Sequence, residues 1–400
     1  MRSASLGLAS LASLAFVALG LPDGLLGVAW PSMRASFGLP LDALGTLLVS
    51  FTCGYVGSSV MGGRLLARLG LGLVLVLSCL ATGLSLLGYA STSSWSIVVA
   101  LGFVGGLGAG GIDTGINTYA ATRHGPAMLT WLHACYGIGA AGGPAIMTAV
   151  LDAHLPWQRG YAHVGAAQVA LAAAFAMTLR TLLVIRGSDA GSGGEASGLI
   201  RSTLRLPVMR WSILLFFTYT GLELAVGAWT FTLLTEGRGA SMMTAGFSIS
   251  LFWAALTGGR ILGAALAGIV PVATLIRGSL LLLAAGLAWL SAGLSFGFDL
   301  VGLVMAGAGA GPVFPLLIAT TPARVGSPHA GNAVGLQIAA AAIGQALVPS
   351  VLGVIGDRLG LEALAAGLVT CGIGVVLIHG AVRRASPEVS GAAICSARAC

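Results

Sequence analysis

Charge is scarce in this sequence. Only 8% of its 400 residues are Asp, Glu, Lys or Arg, against about 25% in an ordinary soluble domain. So few charges cannot cover a water-soluble surface, and lipid is the expected solvent for most of the chain. Lysine is missing altogether, so all 19 basic residues are Arg. The formal net charge of +7 would suit a nucleic-acid partner. However, the Arg residues are spread through short polar breaks, with no basic stripe or interleaved stacking platform, and no nucleic-acid partner is expected.

Chemical motifs are missing too. There is no GxxxxGK[ST] loop for ATP, and the Gly-rich runs lie inside apolar stretches, where a dinucleotide fingerprint would be a false match. No HExxH or Cys/His cluster suggests a metal. Of the six Cys, Cys53, Cys79, Cys135 and Cys371 sit in apolar segments without ligand spacing, and Cys395 and Cys400 lie in the tail. No nucleophile–base pair is visible, so the chain does not read as an enzyme. Period-2 alternation is absent, which excludes a membrane β-barrel.

What the chain has in abundance is apolar length. Hydrophobic residues make up 57% of it and the mean hydropathy is +0.98. Twelve runs approach the roughly 20 residues that cross a bilayer as a helix. They lie near 8–31, 42–63, 71–90, 96–119, 127–150, 162–185, 210–233, 243–268, 272–294, 298–320, 331–354 and 362–382. With both termini placed in the cytoplasm, Arg64, Arg68, Arg205, Arg210, Arg324, Arg383 and Arg384 fall inside, and only Arg34, Arg159, Arg238 and Arg358 fall outside. The expected location is the plasma membrane, the inner membrane of a bacterium.

A polar Gly/Ser-rich insert divides the runs six and six. This gives an N-terminal bundle over 1–186, a cytoplasmic linker over 187–208, a C-terminal bundle over 209–385 and a cytoplasmic tail over 386–400. The halves share features in order: "GGR" at Gly62–Arg64 and Gly258–Arg260, "GIGAAGGP" against "AIGQALVP", and "GGLGAGG" against "AGAGAGP". The fold expected is therefore all-α: twelve transmembrane helices in two pseudo-symmetric six-helix bundles.

Three acids, Asp23, Asp113 and Glu223, stand well inside apolar runs. A charge at such depth costs about 2.5–3.5 kcal/mol on insertion scales, so these positions are expected to face a cavity or a partner. They are the candidates for proton coupling. Asp113 and Asn117 are four residues apart and share a helical face. Pro22-Asp23-Gly24 invites a break in the first helix. Tyr219 and Trp229 flank Glu223, and Trp253 is a further candidate ring. His133 and Gln337 are candidates to line the path. Asp23, Asp113, Asn117, Tyr219, Glu223, Trp229, Trp253, His133 and Gln337 thus form the expected solute site. Arg64, Arg68 and Arg260 are expected to act in gating, with Arg260 near the cytoplasmic rim.

"PDGLLGVAWP", "GGIDTGINTY", "YTGLELAVGAW", "FWAALTGGR" and "GAGAGPVFP" together make the chain resemble the major facilitator superfamily, in particular its fucose:proton symporter branch, over essentially its whole length. The resemblance implies that acids on the first and fourth helices, here Asp23 and Asp113, serve proton coupling and sugar recognition. It departs from the family at Ala67, which stands where an Asp usually precedes the loop Arg. The function expected is secondary active symport of a small polar solute, a monosaccharide by this reading, by alternating access. A proton, or else sodium, is the coupling ion, no other cofactor is expected, and the protein works as a monomer in the bilayer. The competing readings are a proton-antiport exporter of drugs or metabolites and a receptor that does not transport.

Overall fold

The computed structural model describes residues 2–123, 126–182 and 196–386. Residues 187–195 of the expected linker and almost all of the expected tail, with Cys395 and Cys400, lie outside the described residues. Every regular element among the described residues is helical. Eleven helices are long and apolar enough to cross a membrane, and one of them, Leu41–Ser91, runs for 51 residues. At 1.5 Å per residue that length is more than twice a bilayer core of about 30 Å. Gly70 resolves the excess. Its φ of 76° is left-handed and non-helical, and it folds α2 (Leu44–Ser91) into two crossings. Twelve crossings result.

The first bundle comprises α1 (Arg2–Phe37), the two legs of α2, α3 (Trp95–Arg123), α4 (Pro126–Asp152) and α5 (Gln158–Leu182). After the short α6 (Ala196–Arg205), the second comprises α7 (Pro207–Thr232), α8 (Met242–Leu266), α9 (Val272–Ser291), α10 (Phe296–Ala310), α11 (Val313–Ala319), α13 (Ser327–Leu359) and α14 (Glu362–Ala385), with the single turn α12 (Thr321–Val325) before α13. Three seams join the bundles, α1 on α7, α2 on α13 and α4 on α8, and α1 touches α8 lightly.

The break expected at Pro22 does not occur. Pro22 has no N–H to offer the carbonyl of Ala18, one turn back. Gln168 on α5, fully buried, donates its Nε2 to that carbonyl at 2.9 Å. With the orphan satisfied, α1 continues unbroken through Pro22 and Pro31. The broken crossing is the tenth, where α10 gives way to α11 at Gly311-Pro312.

The bundles meet tightly at the end where α1 and α7 finish. A Cβ on Gly27 would lie 2.2 Å from the carbonyl oxygen of Gly227, so the two backbones touch. Arg34 pairs with Glu236 across this seam. The Leu41 N–H donates to Asp357 Oδ1 at 3.1 Å. Trp229, fully buried between α7 and α13, donates Nε1 to the carbonyl of Pro349 at 2.8 Å. Toward the opposite end, where α6 lies, Val60 of α2 is 80% exposed, and a Cβ added at Gly331 or Gly335 of α13 would meet no atom within 4 Å.

Candidate functional site

The intramembrane acids sit below the tight end. At 1.5 Å per residue, Asp23 lies about 16 Å below Arg34, Glu223 about 20 Å below Glu236, and Asp113 about 27 Å from the start of α3. All three are half-buried.

Each acid is met by a tyrosine hydroxyl. Tyr136 on α4 donates to Asp23 Oδ2 at 2.5 Å. Tyr55 on α2 donates to Asp113 Oδ2 at 2.7 Å, and Asn117 Nδ2 donates to the other oxygen at 2.9 Å. Tyr219, one helical turn before Glu223, donates to Glu223 Oε2 at 2.7 Å; the carbonyl of Ala310, at the break after α10, lies at the same 2.7 Å from that hydroxyl. A carboxylate accepts only, and a phenol carries a single proton, so Tyr219 serves one of its two acceptors at a time.

These pairs form one electrostatic neighbourhood. Tyr55 is within reach of the charges of both Asp113 and Asp23, and Tyr136 within reach of Asp23, Glu223 and Arg260. His133 lies within reach of Asp113 and Arg260 and packs edge-on against Phe16, ring centroids 5.8 Å apart. The cluster therefore bridges the bundles. Two buried polar atoms beside it have no hydrogen-bond partner among the described residues: Asn117 Oδ1 and Trp253 Nε1. Trp253 packs its indole over Gly227.

Three sequence candidates sit elsewhere than expected. Arg260 is not at a rim. Its side chain is 17% exposed, its Nη2 is 3.7 Å from Glu223 Oε1, and its Nε donates to the carbonyl of Gly311 at 3.3 Å. Helix α8 starts at the tight end, which carries Arg260 about 27 Å along and into the acid layer. Trp229 is sealed into the α7–α13 seam and lines no space. Gln337 is fully buried, takes a hydrogen bond from Thr321 Oγ1 at 3.0 Å, and belongs to the wall around Arg324. That wall surrounds Arg324 with neutral acceptors, Thr321 Oγ1 and the carbonyls of Leu317 and Thr320, and burial pulls its guanidinium down to about 10. Arg64 and Arg68 are exposed beside the Gly70 turn.

Sequence reasoning missed Tyr55 and Tyr136. Both are lone hydroxyl-bearing rings among small residues, in "CGYVG" and "ACYGIG", which was the available signal. It also missed the loop residue Arg238. This guanidinium grips Glu362 through two bonds of 2.8 and 2.7 Å, Asp299 at 2.7 Å and the carbonyl of Leu290 at 2.8 Å. Its hydrogen bonds to Glu362 push it above the usual arginine range. It ties together the ends of α9, α10 and α14.

Comparison with known proteins places this geometry. The Major Facilitator Superfamily model matches residues 12–349. "Bypass of stop codon protein 6" of Saccharomyces cerevisiae (strain ATCC 204508 / S288c) is 24% identical over 273 residues, 62% of this chain. The chain spans about half the length of that relative, 54%. Among solved structures, a D-xylose-proton symporter superposes with a TM-score of 0.78 at 16% identity, covering 96% of this chain and 99% of its own. The nucleoside transporter NupG (D323A mutant) also gives 0.78, at 14% identity and with coverages of 94% and 99%. FucP in its outward conformation gives 0.64 at 15% identity, with coverages of 95% and 99%. At these identities the superpositions establish the fold.

Proposed function

The chain belongs to the Major Facilitator Superfamily, a family of transporters rather than enzymes, and from that premise we propose that it is a proton-coupled symporter of a small hydroxylated solute of monosaccharide size. The observation that carries this reading is the set of half-buried carboxylates, drawn from both bundles, each met by a tyrosine hydroxyl within one electrostatic neighbourhood. A carboxylate at that depth is costly unless it is used or paired. Asp23 and Asp113 are met by neutral donors, so each can take a proton and then offer an O–H to a solute oxygen. The unpartnered Asn117 Oδ1 and Trp253 Nε1 supply an acceptor and a donor for hydroxyl groups.

Alternating access requires the contacts between the bundles to be broken and remade. The Arg34–Glu236 ion pair, the Leu41–Asp357 hydrogen bond and the Gly27–Gly227 backbone approach hold the tight end. Arginine lies mainly at the α6 end, which we take as the cytoplasmic side of a bacterial plasma membrane. The seam α1–α7 must part for the opposite state. The protein acts as a monomer, and the proton, not sodium, is the coupling ion.

The test is uptake into proteoliposomes under an imposed proton gradient, with sodium replaced by choline, across a panel of sugars. Asp113→Asn should lose gradient-driven accumulation and keep counterflow exchange of the same sugar. Uptake that stays fully pH-dependent in that variant counts against the proposal, and gradient-driven extrusion of the solute would make the protein an exporter.

A further inference from the structure

Two arginines of the C-terminal bundle differ sharply in how well they are satisfied. Arg238 spends its donors on two carboxylates and a carbonyl, at 2.7–2.8 Å. Arg260 makes one hydrogen bond, Nε to the Gly311 carbonyl at 3.3 Å, and its approach to Glu223 at 3.7 Å is an ion pair without a hydrogen bond. Neither Nη of Arg260 has a hydrogen-bond acceptor among the described residues. A guanidinium held in the membrane interior with its planar fork unfilled is built to receive a planar anion. Once Glu223 is protonated, solute hydroxyls alone would leave the guanidinium charge unanswered.

We propose that the solute carries a carboxylate, as a sugar acid does, that Arg260 binds this group, and that Glu223 releases Arg260 to it on taking a proton. The proposal rests on the symporter reading above and narrows its solute class. The groups around Glu223 make the exchange feasible. Tyr219 faces it from its own helix, Arg260 from α8, Tyr136 and His133 from α4, Asp23 from α1, and the Ala310 carbonyl closes the set from α10. With Glu223 ionised, Tyr219 donates to it and Arg260 has a counter-charge. With Glu223 protonated, the new O–H donates to the Tyr219 oxygen and Tyr219 turns its proton to Ala310. The Tyr219–Glu223 hydrogen bond is kept with its direction reversed, and the Ala310 carbonyl gains one. What is lost is the negative charge opposite Arg260, and the solute carboxylate replaces it. One proton and one anion load together, so the charge of the site is the same before and after loading.

The experiment is a thermal-shift titration of the purified full chain with matched pairs: D-glucose against D-glucuronate, and D-galactose against D-galacturonate. At least one uronate should stabilise the protein, more strongly in mildly acidic than in mildly alkaline buffer, while its neutral partner does not. Glu223→Gln should bind that uronate in alkaline buffer as tightly as the unmodified protein does in acid, a gain that misfolding cannot mimic. Arg260→Gln should lose affinity on the order of a hundredfold, as when one partner of a buried charge pair is removed, with Arg260→Lys intermediate. The inference is overturned if neutral sugars bind and Arg260→Gln leaves their binding unchanged, or if no uronate stabilises the folded protein. In the first case the symporter reading stands. That reading fails separately if no solute of either kind moves protons in proteoliposomes.

Discussion

In the N-terminal bundle the intramembrane acids take their hydrogen bonds from neutral donors, two tyrosine hydroxyls and one amide, with His133 within reach of Asp113, whereas in the C-terminal bundle Glu223 faces a hydroxyl and a guanidinium together. The difference separates two ways of using a carboxylate in lipid. An acid held by neutral donors keeps hydrogen-bond partners whether or not it carries a proton. An acid opposite a guanidinium gives up an ion pair when protonated, and the cation must then find another anion. The first arrangement suits a proton carrier and the second a partner exchange.

The largest expected effect comes from removing the carriers. Asp23→Asn and Asp113→Asn should each bring gradient-driven accumulation down to the level of empty liposomes with solute affinity little changed. Glu223→Gln should instead change how affinity depends on pH. Titrations of the three variants side by side check this, and one shared phenotype would erase the distinction between the bundles.

A second prediction concerns where the bundles touch. At Gly27 any side chain meets the Gly227 carbonyl. Gly27→Val should cost about 1–3 kcal/mol in the sealed state by overpacking, and tenfold in population accompanies each 1.4 kcal/mol or so. Spin labels at Ala35 and Met242, in a cysteine-free background, should report a longer distance. An unchanged distance would show that the seam yields without parting.

A third prediction sharpens the comparison within the sites. Tyr219→Phe removes the one hydroxyl proton that the Ala310 carbonyl and a Glu223 oxygen share, and should destabilise by about 1–3 kcal/mol. Tyr55→Phe leaves Asp113 its bond from Asn117, so the loss should be nearer 1 kcal/mol. Unfolding in detergent measures both, and equal losses would mean that the two tyrosines do the same job.

Much of this was legible in the residues. Twelve apolar runs and their repeated Gly motifs specified the architecture because lipid leaves a chain few alternatives to the helix. Pairs four apart on one helix were also readable: Asp113 with Asn117, and Tyr219 with Glu223, are hydrogen-bonded. Partners from other helices were not, since helical spacing says nothing of which neighbour faces which. Tyr55, Tyr136 and the depth of Arg260 depend on tertiary packing. So does the fate of Pro22, where local chemistry called for a break and a buried glutamine four helices away supplied the missing donor. Trp229 misled for a related reason: a large ring near an acid reads as a binding surface until a neighbouring helix is seen to cover it.

The smallest expected effect is at the ion pair that spans the tight end. Arg34 and Glu236 look like a latch between the bundles, yet their side chains are 27% and 32% exposed. Pairs this accessible contribute about 0–1 kcal/mol, because solvent screens them and ordering two long side chains costs entropy. A double-mutant cycle over Arg34→Ala and Glu236→Ala should give a coupling in that range, fading with added salt. The weight of the seal would then rest on the backbone contact at Gly27, which salt does not weaken. A coupling well above 1 kcal/mol would reverse that order. The closed end would then be an electrostatic latch, and the bundles would differ less in the chemistry of their acids than in which half carries the charge that holds them shut.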